Sequence, residues 1–143
     1  MTTPSALLLS LRPRFAEAIL NGSKTIEIRR RPVRAPAGTP LILYASSPTM
    51  AVVGTAVLAD VLVLTPHTAW RRYRESFGVT WSEFMNYLEG APAAHLLRVT
   101  DAKELDQPIA LQVLRRAARF HPPQSLRYVA PTDPLQVRRL VSR

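Results

Sequence analysis

The fold is constrained most by a series of short strand-like segments that are separated, at irregular intervals, by equally short helical ones. The segments with the apolar or period-two pattern of a strand are 6–11, 24–30, 41–45, 51–64, 94–99 and 126–129. Helical spacing is found in 13–20, 70–77 and 81–88, and more weakly in 109–120 and 135–141. Because strands and helices do not follow a regular βαβ order, the pattern predicts an α+β fold: a small, mostly antiparallel β-barrel flanked by short helices.

Local signals mark the ends of two of these helices. Pro13 suits the first position of a helix, and Asn21-Gly22 is a favourable left-handed stop for the same helix. A second helix begins after Thr80, because Thr80 and Glu83 have the spacing of a capping box. These signals predict helices at about 13–21 and 81–88.

The length of 143 residues predicts one domain, with a core at about 6–130 and a C-terminal tail at 131–143. The longest apolar run, 51–59, ends at Asp60 and is much shorter than the roughly 18 residues of a membrane-spanning helix. The N-terminus also lacks the basic start and long apolar segment of a signal peptide. We therefore predict a cytoplasmic protein that does not associate with membranes.

The content of potential metal ligands is low. There are 0 cysteines, which excludes disulfides, thiolate zinc sites, iron–sulfur clusters and thiol catalysis. His67, His95 and His121 are far apart and show no ligand spacing. The sequence therefore predicts no metal and no cofactor.

The charge is strongly unbalanced, with 19 Lys+Arg against 10 Asp+Glu and a formal net charge of +9. Only Lys24 and Lys103 are lysines, so almost all of the positive charge is carried by arginine, whose guanidinium suits phosphates and stacks on bases. A GC-rich genome explains the preference for arginine over lysine, but not the excess of bases over acids. The excess favours a polyanionic partner such as nucleic acid.

The segment 22–29 is the most unusual part of the sequence, because Lys24 precedes a strand that carries Glu27 and Arg29 on one face. Side chains at i and i+2 of a strand are rooted roughly 7 Å apart, so their tips can interact. Such a pair can keep Glu27 ionised and direct Arg29 at an acceptor. The alternative is a solvated strand edge with ordinary ion pairing.

The segment Gly-x-Lys-x-x-Glu-x-Arg at 22–29 resembles the signature of the ASCH domain family, a branch of the PUA-like superfamily. The resemblance extends to the opening segment 9–16, to the segments 43–48 and 52–54, and to the closing segment 120–128. With 43–48 and 52–54 counted as one, four motifs follow in order over most of the chain and make the resemblance specific. It implies a small PUA-like β-barrel with a basic cleft between the first helix and the barrel.

The resemblance also implies which residues line that cleft. Lys24, Glu27 and Arg29 are expected there, and Tyr44, Ser46, Gln124 and Ser125 are within possible reach. Alternative roles remain open: Tyr44 can be a core tyrosine, and Ser46, Gln124 and Ser125 can serve turns. Arg30 and Arg31 continue from the motif and are predicted phosphate contacts, whereas Arg71, Arg72 and Arg74 are interpreted as a solvated helix face.

The superfamily mostly binds RNA or modified bases, so the favoured function is a nucleic-acid-binding module, with RNA as partner. The first alternative is a metal-independent ribonuclease, in which Lys24 or Arg29 stabilises the phosphate and Glu27 acts as general base. The second is a hydrolase of a modified nucleoside. Family members with that activity have a characteristic lysine, threonine and glutamate. In this chain Lys24 matches the lysine, but Glu27 stands at the position of the threonine. Phe77 stands near the position of the glutamate, and Glu75 is close in sequence but out of register. In a further alternative, the same cleft binds a nucleotide or a modified nucleoside as a small ligand.

Overall fold

The computed structural model describes residues 5–141. In chain order the strands and helices are β1 (Leu7–Leu11), α1 (Pro13–Asn21), β2 (Ile26–Arg29), β3 (Pro40–Ala45), β4 (Ala51–Leu64), α2 (Pro66–Tyr73), a 3-10 turn (Arg74–Ser76), α3 (Trp81–Tyr87), β5 (Ala94–Ala110), α4 (Leu111–Ala117), β6 (Leu126–Tyr128) and α5 (Leu135–Arg138). In residues 5–141 no helix is both long and apolar enough to cross a membrane.

The six strands form one mixed sheet in the order β2-β5-β4-β3-β1-β6. β1 and β3 pair in parallel, and the other neighbouring strands pair antiparallel. The register between β4 and β5 shifts at three places, and such bulges bend and twist a strand. The sheet therefore curls into a half-barrel flanked by helices, which confirms the predicted α+β, PUA-like and mostly antiparallel fold.

Both faces of the central strands are covered, which explains why β1 is a continuous apolar run rather than an alternating one. Leu7 and Leu9 pack against α1 on one face, whereas Leu8 packs on the other face with α4 and the C-terminal segment, including Val137. A third apolar cluster joins β2 and β5 to the aromatic side chains of α2 and α3. These three clusters fix the helices around the sheet.

The predicted helix ends are confirmed. Pro13 occupies the first turn of α1, and Gly22 caps its C-terminus with a φ of 86°, a left-handed conformation that favours glycine. Thr80 and Glu83 form the capping box at the start of α3. The helix predicted over 70–77 lies four residues earlier in the chain, because α2 spans Pro66–Tyr73 and Phe77 follows a 3-10 turn.

The predicted strand at 94–99 is too short, since β5 continues to Ala110. The additional residues are mostly polar and lack strand propensity, but they pair with β4, as in Thr55 with Lys103 and Ala51 with Ala110. Tertiary pairing thus overrides the local pattern. The weak helical preference of 109–120 is confirmed by α4, which begins directly where β5 ends.

Candidate functional site

A cleft of about 990 Å³ lies where the half-barrel remains open. Strands β1, β2 and β3 contribute to its walls, and so do helices α1, α3 and α4. The loop before β6 completes the lining. Seven of the residues that the sequence suggested belong to its lining: Lys24, Glu27, Arg29, Tyr44, Ser46, Gln124 and Ser125.

The floor of the cleft is a buried group of three charges. Lys24 Nζ lies 3.3 Å from Glu27 Oε1, and Arg29 Nη2 lies 2.8 Å from Glu27 Oε2. Lys24 is 2% exposed, and Glu27 and Arg29 are each 7% exposed. The interaction expected from their spacing is therefore present, and the alternative of a solvated strand edge is wrong, because helices and the opposite edge of the sheet cover this face.

Lys24 is held by the segment between α2 and α3. Its ammonium donates a hydrogen bond of 2.6 Å to the carbonyl oxygen of Phe77 and lies 5.0 Å from the centre of the Phe15 ring. Gly78 leaves room for the aliphatic stem, since a Cβ at that residue would be 3.2 Å from Lys24 Cβ. Burial lowers the pKa of Lys24, and the negative charge of Glu27 opposes this effect.

Arg29 connects the two edges of the half-barrel. From β2 its Nη1 donates to Ser125 Oγ at 2.7 Å, just before β6, and its Nη2 donates to the carbonyl oxygen of Ser10 in β1 at 3.2 Å. One guanidinium thus spans the gap that backbone pairing leaves open. The cleft is located beside this bridge.

Within residues 5–141, three buried polar side-chain atoms have no hydrogen-bond partner: Ser10 Oγ, Arg29 Nε and His95 Nδ1. Ser10 and Arg29 both belong to the cleft lining. Buried polar groups in folded proteins are nearly always paired, so Ser10 Oγ and Arg29 Nε are expected to bond to water or to a polar ligand.

The cationic side chains of the cleft outnumber the acidic ones. Its basic residues are Arg12, Lys24, Arg29 and Arg115, and in the described part of the chain its acidic residues are Glu27 and Glu83. Both carboxylates are engaged, Glu27 by Lys24 and Arg29, and Glu83 by Arg14 at 2.6 Å. The remaining positive charge can be balanced by an anionic ligand.

Tyr44 takes both of the roles that the sequence left open. It is buried in the apolar cluster of Leu8 and Leu114, and it also lines the cleft. Burial raises the pKa of its phenol, an effect that Arg115 opposes. Ser46 lines the cleft and also serves the turn after β3, where its carbonyl oxygen accepts from Thr49 N at 3.0 Å.

Arg30 and Arg31 are not part of the cleft lining. Both are exposed, and Arg30 donates to the carbonyl oxygens of Tyr87, the last residue of α3, and of Glu89 beyond it, at 2.7 and 2.9 Å. β2 ends at Arg29, so Arg30 and Arg31 lie in the exposed loop that follows the strand and not on its cleft face. Arg71, Arg72 and Arg74 are exposed and lie outside the lining as well.

Sequence reasoning missed several residues of the cleft, above all Ser10, Arg12, Asn86, Tyr87 and Arg115. Ser10 and Arg12 belong to the opening motif, so their position in it was a usable signal. Asn86, Tyr87 and Arg115 come from helices that only the tertiary structure brings to the cleft.

Neither of the residues considered for the glutamate position of an amidohydrolase places a carboxylate in the cleft. Phe77 is buried and offers only its backbone carbonyl to Lys24, while Glu75 is exposed and lies outside the cleft lining. Residues 5–141 contain no group of three or more His, Asp or Glu side chains that could hold a metal ion.

Comparison with known proteins gives consistent matches. The family model described as ASCH domain matches residues 9–115. An ASCH domain-containing ribonuclease from Zymomonas mobilis is 36% identical over 124 residues, which cover 85% of this chain and 82% of that protein. The crystal structure of ASCH from Zymomonas mobilis superimposes with a TM-score of 0.86 at 30% identity and covers 96% of both chains.

Two further crystal structures of the Zymomonas protein carry one substitution each, a tyrosine to phenylalanine and a serine to alanine. A more distant neighbour is the human THYN1 protein in complex with 5-methylcytosine containing DNA. It has a TM-score of 0.52 at 13% identity and covers 90% of this chain and 92% of that one, so it shares the fold alone.

Proposed function

The chain belongs to the ASCH domain family, and from this premise we propose that it binds RNA in the cleft and cleaves it. The observation that carries the proposal is the buried group of Lys24, Glu27 and Arg29 on the cleft floor. One carboxylate between two cations leaves one positive charge uncompensated in a poorly solvated place. A phosphodiester supplies one negative charge and matches this site.

The unpaired polar atoms support a phosphate as the bound group. Arg29 Nε can only donate a hydrogen bond, and Ser10 Oγ can donate one. The non-bridging oxygens of a phosphate are acceptors, whereas the amino group of a base cannot accept from either atom. A phosphate would therefore complete the hydrogen bonding of the floor.

Two hydroxyl groups of the cleft, those of Tyr44 and Ser125, support cleavage in addition to binding. A relative from Zymomonas mobilis is a ribonuclease, and two crystal structures of an ASCH protein from Zymomonas mobilis carry substitutions that each remove a hydroxyl, one of a tyrosine and one of a serine. The separation of those two positions in that chain equals the separation of Tyr44 and Ser125 in this one. This equality favours corresponding roles.

Cleavage would use the RNA's own 2′-hydroxyl. The 2′-oxygen attacks the adjacent phosphorus and its proton passes to solvent. The bond to the 5′-oxygen breaks, which leaves a 2′,3′-cyclic phosphate and a 5′-hydroxyl. Lys24 and Arg29 stabilise the negative charge on the phosphate. Tyr44, a phenol that is protonated near neutral pH and whose pKa burial raises further, donates the proton to the leaving 5′-oxygen.

Glu27 has a different role in this scheme from that of a general base. Both of its oxygens face a cation, at 3.3 and 2.8 Å. It therefore holds Lys24 and Arg29 in place, and its negative charge opposes the lowering of the Lys24 pKa by burial.

The test combines cleavage and binding on matched substrates. Labelled single-stranded RNA is incubated with the wild type, Lys24→Ala and Tyr44→Phe and run on a denaturing gel. The same sequence with 2′-O-methyl groups, which cannot attack the phosphorus, is titrated at two salt concentrations. We expect the wild type to cleave only the unmodified RNA and to bind the methylated RNA with a salt slope of about 0.7 per contacted phosphate.

The variants separate the two steps. Lys24→Ala should weaken binding and cleavage together, and Tyr44→Phe should slow cleavage by about 10²-fold or more while binding is retained. Arg71→Ala, which removes an exposed charge outside the cleft, is the matched control and should change neither. Salt-sensitive binding that leaves RNA intact would make the protein a binding module, and no binding to either RNA would refute the proposal.

A further inference from the structure

Arg115 is a cation of the cleft that the floor group does not use. It projects from α4 and lines the cleft together with Tyr44, and its positive charge opposes the raised pKa of the Tyr44 phenol. Its Nε donates to the carbonyl oxygen of Phe120 at 3.2 Å, which fixes the direction of the guanidinium. Within residues 5–141, its terminal nitrogens have no hydrogen-bond or ion-pair partner.

No carboxylate of the cleft is available to Arg115. In the described part of the chain only Glu27 and Glu83 carry negative charge in the lining, and both are paired with other residues. An arginine that is oriented by a backbone carbonyl and lacks an acidic partner is suited to bind a phosphate with its terminal nitrogens.

The floor group and Arg115 belong to different walls of the cleft. The floor cations come from β2 and the residues before it, on the side of α1 and α3. Arg115 comes from α4, beside the apolar cluster that contains Tyr44. The volume of about 990 Å³ is at the upper end of the roughly 300–1,000 Å³ of small-molecule pockets, so it can hold more than one nucleotide.

Resting on the proposed function, we propose that Arg115 forms a second phosphate subsite that binds a phosphate neighbouring the one on the cleft floor. The protein would therefore recognise a strand with at least two consecutive phosphodiesters, and a mononucleotide or a dinucleotide with one phosphate would fill only part of the site. Arg115 thus selects for polynucleotide over nucleotide.

The test compares two ligands with 2′-O-methyl groups, a dinucleotide with one phosphate and a trinucleotide with two. Binding of each is measured by calorimetry at several salt concentrations for the wild type, Arg115→Ala and Arg116→Ala. Arg116 is the matched control, because it is the next residue on the same helix, is exposed and lies outside the cleft lining.

We expect the wild type to bind the trinucleotide at least about tenfold more tightly than the dinucleotide, with a salt slope that is larger by about 0.7. Arg115→Ala should remove that difference in affinity and slope by weakening the binding of the trinucleotide, and should weaken the binding of the dinucleotide far less. Arg116→Ala should behave as the wild type. Arg115→Lys should retain part of the slope, because it keeps the charge and loses the bond to the Phe120 carbonyl.

Two outcomes would overturn this inference without affecting the proposed function. One is equal affinity of the wild type for both ligands. The other is an equal loss of trinucleotide affinity in Arg115→Ala and Arg116→Ala, which would indicate a general effect of the positive charge and not a specific subsite. Failure of the wild type to bind any RNA would instead refute the proposed function, and the inference with it. A thermal melt of each variant completes the design. An Arg115→Ala protein that melts like the wild type but keeps the full preference for the trinucleotide would exclude the subsite.

Discussion

Replacement of Glu27 by glutamine tests the electrostatics of the cleft floor most directly. Glutamine has nearly the same shape as glutamate, so the substitution removes the negative charge and leaves the packing intact. Lys24 and Arg29 then lie close together in a buried place without a counter-charge. The substitution should therefore destabilise the fold.

The size of the effect follows from the burial of all three side chains. Breaking a buried ion pair by removing one partner costs about 3–5 kcal/mol. Because the group borders an open cleft, we take the lower value of about 3 kcal/mol. For a domain of this size each kcal/mol lowers Tm by about 2–4 °C, so Glu27→Gln should melt about 6–12 °C below the wild type.

The same substitution should strengthen anion binding, because the two cations then need a partner. Inorganic phosphate should therefore raise the Tm of Glu27→Gln more than that of the wild type, as a ligand stabilises the folded state that binds it. The double variant Glu27→Gln/Lys24→Gln, which removes one charge of each sign, should recover part of the lost stability.

The assay is a set of thermal melts by circular dichroism with and without phosphate, with sodium chloride of equal ionic strength as control. A Tm of Glu27→Gln within about 2 °C of the wild type would refute the reasoning. So would a phosphate-induced rise in Tm that is equal in both proteins, because the floor would then not be where the anion binds.

Three further predictions concern packing and pH. Gly54→Ala should lower stability by about 1–3 kcal/mol in a denaturant titration, because its Cβ would be 2.6 Å from Leu20 Cδ2 and 2.7 Å from a backbone oxygen. RNA affinity should fall as pH rises through the lowered pKa of Lys24, before the roughly 10.4 of an ordinary lysine, and Lys24→Arg should flatten this profile. The hydrogen bond from Arg14 lowers the pKa of Glu83 to about 2, so the Tm difference between wild type and Glu83→Gln should be constant above about pH 4.5 and shrink as pH falls through about 2.

Several parts of the fold could be predicted from the sequence because they depend on neighbours along the chain. The strand boundaries of β3 and β4 follow from apolar and β-branched runs, the left-handed stop at Gly22 from a glycine after a helical pattern, and the start of α3 from the spacing of Thr80 and Glu83. The contact between Glu27 and Arg29 belongs to the same class, since alternation places them on one face of β2.

The tertiary structure alone decided which distant residues meet this motif. Lys24 donates to Phe77, which is 53 residues away, and Arg29 to Ser125, which is 96 residues away. Local periodicity indicates which way a side chain points and carries no information on which part of the chain covers it. The burial of Glu27 was therefore not predictable from its spacing.

The same distinction separates the predicted site residues from the missed ones. The ASCH motif led to Lys24, Glu27 and Arg29, while Arg115 lines the cleft because β5 extends to Ala110 and directs α4 toward it. The extension of β5 is stabilised by pairing with β4 and not by its own residues. The sequence by itself thus determined the local chemistry of the cleft floor, and long-range strand pairing determined its walls, because pairing and packing energies belong to contacts between segments rather than to any one of them.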